Sequence, residues 1–242
     1  MLYVGVGNFV QGPFLCYNDS FAPADVHRSC ELVREFIETD GPFDGVLGFS
    51  QGGSLALTYL LQHEIERPTD RPPFKFAMLF STVVAFSADE TFGNDILDSL
   101  TAEEIRLLEN YPNCDLSKLG MEKRALCETT AKAFQSAKIG GFIAKGTNSG
   151  SFSGKSDPLQ PRILHPILLK ERIRIPTVHI TGKRDDRTMV DLSILMRELC
   201  DRRLRKILTH SGAHDVPRRE EDVKAAWREM EWAIQQSQRQ AW

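Results

Sequence analysis

Phe43-Asp44-Gly45-Val46-Leu47-Gly48-Phe49-Ser50-Gln51-Gly52-Gly53, running into Ser54-Leu55-Ala56-Leu57-Thr58-Tyr59-Leu60-Leu61, decides how the rest of this chain is read. Its first part is a mostly apolar run of strand length, and its last part has the composition of a helix. Between them lies Gly48-Phe49-Ser50-Gln51-Gly52, a G-x-S-x-G pattern. A strand, a tight turn carrying serine and then a helix is the setting in which that pattern forms a nucleophile elbow. Flanking residues without a Cβ let the backbone bend sharply, so Ser50 is expected in a strained conformation with its Oγ exposed. The helix after it directs its N-terminal amides at the same point.

Outward from the elbow, strand-like and helix-like runs alternate, which predicts an α/β fold with a mainly parallel sheet flanked by helices. Before it, Asp25 to Glu38 carries Val26, Leu32, Val33, Phe36 and Ile37 at helical spacing. After it, Phe74-Lys75-Phe76-Ala77-Met78-Leu79-Phe80-Ser81 is the next buried strand, introduced by Arg71-Pro72-Pro73 and expected beside the elbow strand. Pro176 to Thr181 and Leu204 to His210 are two further strands, each with a helix behind it. Between 88 and 173 the pattern changes to amphipathic helical pieces, Leu97 to Glu109 and Leu116 to Phe134, and then a Gly/Ser-rich stretch from Gly140 to Pro158. This region reads as a lid-like insertion above the carboxyl edge of the sheet, within one domain spanning 1–242. Gly146 to Gly154 reads either as a mobile gate or as a surface loop without a role.

Composition narrows the classes of function. The chain has 242 residues, 41% of them hydrophobic and 26% charged, enough for one sizeable core. A formal net charge of −3 and the lack of any long run of one sign argue against a nucleic-acid partner. The most basic spot, Arg202-Arg203-Leu204-Arg205-Lys206, reads as a solvated helix end leading into a strand. Five cysteines, Cys16, Cys30, Cys114, Cys127 and Cys200, are odd in number and form no C-x-x-C, which predicts reduced thiols and a cytoplasmic chain. Neither a signal peptide nor a membrane span is read from the sequence.

A serine hydroxyl needs a histidine base and a carboxylate to orient that base, here expected in the chain order Ser, Asp/Glu, His. Asp185 follows the Val178 strand through the turn Gly182-Lys183-Arg184, and His214 lies in His210-Ser211-Gly212-Ala213-His214-Asp215-Val216-Pro217, just after the last strand. All three candidates leave the same edge of a parallel sheet, as convergence requires. Asp186 competes with Asp185. The shorter turn after Gly182 favours Asp185, and Asp186-Arg187 reads as an exposed ion-pair position. His210 and His214 have the spacing of a zinc helix, but Gly212 and Pro217 make the segment a strand running into a loop, so no metal site is expected. His179 reads as a core histidine, and the amide of Gln51 as one oxyanion-hole donor.

With these residues in view, the stretch from Gly41 to Gly53 resembles the signature of the fungal serine hydrolase family within the α/β hydrolases. Pro72-Pro73-Phe74-Lys75-Phe76-Ala77 with Phe80-Ser81, His179-Ile180-Thr181-Gly182-Lys183-Arg184-Asp185, and Gly212-Ala213-His214-Asp215-Val216-Pro217 resemble its later blocks in order. Gly12-Pro13-Phe14-Leu15-Cys16-Tyr17 is similar to the segment before its first long helix. The resemblance implies an α/β-hydrolase fold, no cofactor, and hydrolysis of esters or thioesters of small acids through Ser50, Asp185 and His214. It also implies substrates from fungal polyketide pathways, including acyl groups carried as thioesters on a polyketide synthase carrier domain. One departure is that only about ten residues precede Gly12-Pro13, where such proteins place a strand ending in a His-Gly loop and then a further strand and helix. The amino-terminal strands are therefore expected to be shortened, with the second oxyanion donor coming from the backbone between Gly5 and Gly12. The alternative is a truncated, non-catalytic acyl-binding or accessory protein on the same scaffold. An acyltransferase with the same three residues would differ only in its acceptor.

Overall fold

A computed structural model describes residues 17–240, apart from 19, 111, 112 and 140–157. Four strands, β1 (Gly45–Phe49), β2 (Phe76–Phe80), β3 (Thr177–Gly182) and β4 (Arg205–His210), form one sheet in the order β1-β2-β3-β4, every pair parallel. The expected sheet is thus present, with the Phe76 strand beside the elbow strand in the register Phe49 to Phe80. Sequential neighbours in a parallel sheet must be joined by crossovers, and helices supply them here. They are α2 (Gln51–Glu66) between β1 and β2, α3 (Asn94–Asp98), α4 (Ala102–Glu109) and α5 (Met121–Ile139) between β2 and β3, and α6 (Arg187–Met196) between β3 and β4, while α1 (Pro23–Asp40) precedes β1 and α7 (Glu220–Arg239) follows β4.

Helix boundaries follow local chemistry. Pro23 opens α1, where its missing N–H costs nothing, and α1 ends at Gly41, ahead of Pro42. Asp186 caps α6 by accepting from the N–H groups of Thr188 and Met189. The predicted helix from Leu97 to Glu109 is in fact two helices broken at Ser99–Thr101. Thr101 and Glu104 form a reciprocal capping box that starts α4 afresh. That signal, Thr-x-x-Glu, was present in the sequence inside an otherwise periodic run.

The sheet is covered on both faces, and period-2 alternation along β2 shows how. Phe76 and Met78 face α7 in a cluster with Val178, Ile180 and Ala233. Ala77 and Leu79 face the opposite way, into the core with Leu57, Leu60 and Leu61 of α2, Ile175 and Met196. Each buried leucine there contributes about 1.5–3 kcal/mol, and truncation to alanine costs roughly 2–5 kcal/mol. The helices between β2 and β3 join the same core through Leu97, Leu108, Leu116 and Leu126. Their neck is closed by pairing, because Ser87 N–H donates to Arg162 O and Leu164 N–H to Ala85 O. Thr58 of α2 clamps it by accepting from Phe86 N–H and donating to Phe86 O. The stretch Gly146 to Gly154 lies outside the described residues.

β1 is an edge strand among the described residues, and Leu47, apolar in sequence, is 61% exposed. The geometry accords with this, since α7 packs chiefly across β2, β3 and β4. At the other edge, the basic cluster forms a short turn, Arg202–Leu204, before β4, where Arg202 and Arg205 pair with Glu198 and Arg203 with Asp201. The described cysteines are free thiols. Burial pushes the thiols of Cys30, Cys127 and Cys200 up to about 12. No helix among the described residues is long and apolar enough to cross a membrane.

Two histidines are held neutral by the core. Burial lowers His179, with help from Arg205 and Arg197, to about 3 and lowers His165 to about 4, from an ordinary 6.5. An unfolded chain takes up these protons as the pH falls through about 6.5, while the folded chain does so only near 4 and 3. Stability present at neutral pH therefore declines as pH drops from about 6.5 toward 4. Urea unfolding at pH 7 and pH 5 checks this: the midpoint is expected to be lower at pH 5, and His179→Gln, which cannot titrate, narrows the difference.

Candidate active site

Because every strand runs the same way, all four carboxyl ends open on one edge, and the candidate residues leave from there. Ser50 follows β1 directly, with φ 51° and ψ −115°, a conformation that L residues rarely adopt. Its N–H donates to Phe80 O at 2.9 Å, so the bend begins while the chain is still tied to β2. Ser50 is also the residue preceding α2, a position where serine normally caps the helix, yet its hydroxyl makes no capping bond. Forgoing that cap costs about 1 kcal/mol, and an unusual φ/ψ costs about 1–3 kcal/mol.

The hydroxyl is engaged elsewhere. His214 Nε2 lies 2.9 Å from Ser50 Oγ, and His214 Nδ1 lies 3.0 Å from Asp185 Oδ2 and 3.2 Å from Oδ1. A carboxylate only accepts, so Nδ1 carries the proton and Nε2 is the acceptor facing serine. The Asp185 side chain is 1% exposed, against 30% for His214, and its Oδ1 also accepts from Asp186 N–H at 2.8 Å. The two aspartates differ in position: Asp186 caps α6, whereas Asp185 reaches the imidazole. Asp186 makes no ion pair among the described residues, contrary to the sequence reading of an exposed pair with Arg187. Phe49 lays its ring against the imidazole, centroids 5.2 Å apart.

The sequence reading assigned the sharp bend to the glycines flanking Ser50; the structure distributes that task differently. A Cβ on Gly48 would fall 2.6 Å from Gly52 O and from Gly53 N and Cα, so strand and helix could not close to this distance. A Cβ on Gly53 would lie 2.3 Å from Thr82 Oγ1, the side chain that follows β2. At Gly52 the nearest atom would be 3.4 Å away, on the Tyr17 ring, which is ordinary contact. Gly48 and Gly53 are therefore the constrained pair. Gln51 is the first residue of α2, so its amide stands at the positive end of a helix, next to the serine. Its side-chain Oε1 accepts from Tyr17 N–H at 3.4 Å. The Gly5 to Gly12 stretch, expected to supply a second donor, lies outside the described residues.

The loop that brings His214 inward was not legible in the sequence. Lys183 N–H donates to His210 O and Arg184 N–H to Gly212 O, both at 2.9 Å, joining it to the turn that holds Asp185. A Cβ on Gly182 would strike Ala213 O at 2.0 Å, so glycine is required where the two turns meet. Asp222 of α7 accepts from the hydroxyl and N–H of Ser211. Those two bonds, the hydroxyl's first, hold its carboxyl below the usual range. An acidic residue in the first turn of a helix is visible in sequence; that it would reach Ser211 is not. His210 and His214, spaced like metal ligands, are committed to separate partners, Gly212 N–H for the first and Ser50 with Asp185 for the second.

A parallel sheet whose strand ends gather a serine on a strained turn, a histidine and a buried aspartate defines the serine-hydrolase class. Comparison with known proteins agrees: residues 18–226 match the family described as serine hydrolase (FSH1), and the chain belongs to it. Esterase alnB of Emericella nidulans is 59% identical over 236 residues, spanning 98% of this chain and 82% of that protein. Serine hydrolase cnsH of Penicillium expansum is 29% identical over 97% of this chain and 95% of its own length. Hydrolase FUB4 of Gibberella moniliformis is 30% identical over 83% of this chain and 70% of its own length. Among solved structures, the monoacylglycerol lipase of Paleococcus ferrophilus overlaps at a TM-score of 0.45 and 17% identity, covering 87% of this chain and 75% of that one.

The glycine geometry makes a test. Gly48→Ala is expected to destabilise the protein by about 1–3 kcal/mol through overpacking and to abolish reactivity at Ser50, while Gly52→Ala stays close to wild type in both. Thermal unfolding and labelling with a fluorophosphonate probe read the two effects.

Proposed function

We propose that this protein is a carboxylic ester hydrolase that works through an acyl-enzyme on Ser50, with His214 as base and Asp185 as its orienting carboxylate. The observation that carries this reading is the hydrogen-bonded chain from Ser50 Oγ through His214 to Asp185, at 2.9 and 3.0 Å, on a strained turn. Membership in a serine hydrolase family and the likeness to an esterase support it.

The steps follow from the geometry. His214 Nε2 removes the hydroxyl proton as Ser50 Oγ bonds to the carbonyl carbon, and the carbonyl π electrons move onto oxygen. The imidazolium so formed carries its charge beside Asp185, whose carboxylate is nearly sealed from water and therefore interacts strongly with it. The oxyanion meets the Gln51 amide at the N-terminus of α2; one such donor is worth about 10²–10³-fold in rate. Collapse expels the leaving group, His214 returns the proton to an alkoxide, and water enters by the same route in reverse to release the acid.

A small-molecule acyl ester is the substrate class that fits this chemistry. A thioester, in particular an acyl group presented on a polyketide synthase carrier domain in fungal secondary-metabolite biosynthesis, is the finer reading; it rests on the family resemblance. A soluble N-acetylcysteamine thioester and an oxygen ester of the same acid, compared by kcat/KM, separate the two. With a fluorophosphonate probe, labelling is expected in wild type and absent in Ser50→Ala. With an activated ester, Ser50→Ala is expected to lose about 10⁶-fold in kcat and Asp185→Asn about 10⁴-fold, the second by presenting the wrong imidazole tautomer. Labelling that persists in Ser50→Ala would sink the assignment.

A further inference from the structure

A second histidine lies four positions before His214, and the mechanism above does not use it. His210, the last residue of β4, is 1% exposed. Its Nδ1 accepts from Gly212 N–H at 3.1 Å. That bond leaves the ring proton on Nε2, which is buried and meets no hydrogen-bond partner among the described residues. A buried donor without an acceptor is uncommon enough to need a reason, and the reason lies at the other nitrogen. A Cβ on Gly212 would stand 2.7 and 2.8 Å from ring atoms of His210, so the loop lies directly on the imidazole. Gly212 is two residues before His214, and its carbonyl holds Arg184 N–H in the turn that carries Asp185.

From this arrangement we infer that His210 is a positioning residue for the proposed reaction: through Nδ1 it fixes the Gly212 peptide and thereby the distance between His214 and Ser50. Gly212 is gripped on both sides, its N–H by His210 and its C=O by Arg184 N–H. Without the acceptor, Gly212 N–H is unpaired in a partly buried turn, and the loop relaxes away from a geometry in which a displacement of about 1 Å costs about 10²-fold in rate. Asp222 secures the preceding residue, Ser211, from α7, so the loop stays attached to the fold while its tip is free to shift.

This inference rests on the proposed roles of Ser50, Asp185 and His214, and the experiment keeps the two apart. Asparagine places its side-chain oxygen near the site of Nδ1, whereas glutamine places its oxygen near that of Nε2. His210→Asn is expected to hold kcat within about 3-fold of wild type, and His210→Gln to lose about 10²-fold, with KM within about 3-fold in both. Thermal unfolding is measured alongside. A residue that only fills the core would change the two variants alike, so equal kcat in the pair, whether high or low, overturns the inference, as does a loss confined to KM. An insoluble His210→Gln beside an active His210→Asn supports it, and two insoluble variants overturn it. If Ser50→Ala retains activity in the same assay, the underlying triad reading fails instead.

Discussion

At Ser50 the chain turns from an edge strand into a buried helix within one residue, and three contacts hold that turn. The serine N–H is tied to Phe80 O, Gly48 packs without a Cβ against the Gly52–Gly53 backbone, and Gly53 packs against Thr82. None of the three involves the serine hydroxyl, which is therefore left to His214. A residue type that would ordinarily stabilise the start of α2 instead stands at positive φ with no cap bond. Local stability of about 1 kcal/mol or more is exchanged for a hydroxyl aimed at a base. The strain is sustainable because α2 is anchored beyond the elbow by fully buried leucines, Leu57, Leu60 and Leu61, in a core shared with β2 and the helices between β2 and β3.

The other half of the site depends on two turns locked to each other. Asp185 and His214 leave neighbouring strands β3 and β4, and the backbone bonds from Lys183 and Arg184 make the two turns one unit. Gly182 permits the close approach, the aspartate is sealed and doubly hydrogen-bonded, and the imidazole stays 30% exposed. A buried carboxylate held by these hydrogen bonds is a fixed counter-charge, which suits the proton transfer proposed for the ring.

Much of this was legible from residue types and order. Strand β2 covers 76–80 inside the mostly apolar run from Phe74 to Ser81, because a strand covered on both faces shows as an unbroken apolar stretch. β3 and β4 likewise differ from their expected limits by one residue at an end or by none. Local cues misled where two were superposed. The capping box at Thr101 cuts a run whose hydrophobic spacing continues through it, and the exposure of Leu47 within its apolar run was hidden, because the coverage of a strand is decided by helices far away in sequence. The division of labour among the glycines was also hidden, since Gly48, Gly52 and Gly53 differ only in what a Cβ would meet.

The α/β alternation, the parallel sheet, the elbow at Ser50 and the order serine, aspartate, histidine were all legible along the chain, because periodicity, glycine placement and chain order are properties of the chain read along its length. It took the folded arrangement to bring Asp185 rather than Asp186 to His214, to set Gly53 against Thr82, and to place His210 and Asp222 against the loop that carries His214. Those outcomes depend on distances between residues remote in sequence, which are set when the strands take their register and the helices close over them, and no local pattern encodes them.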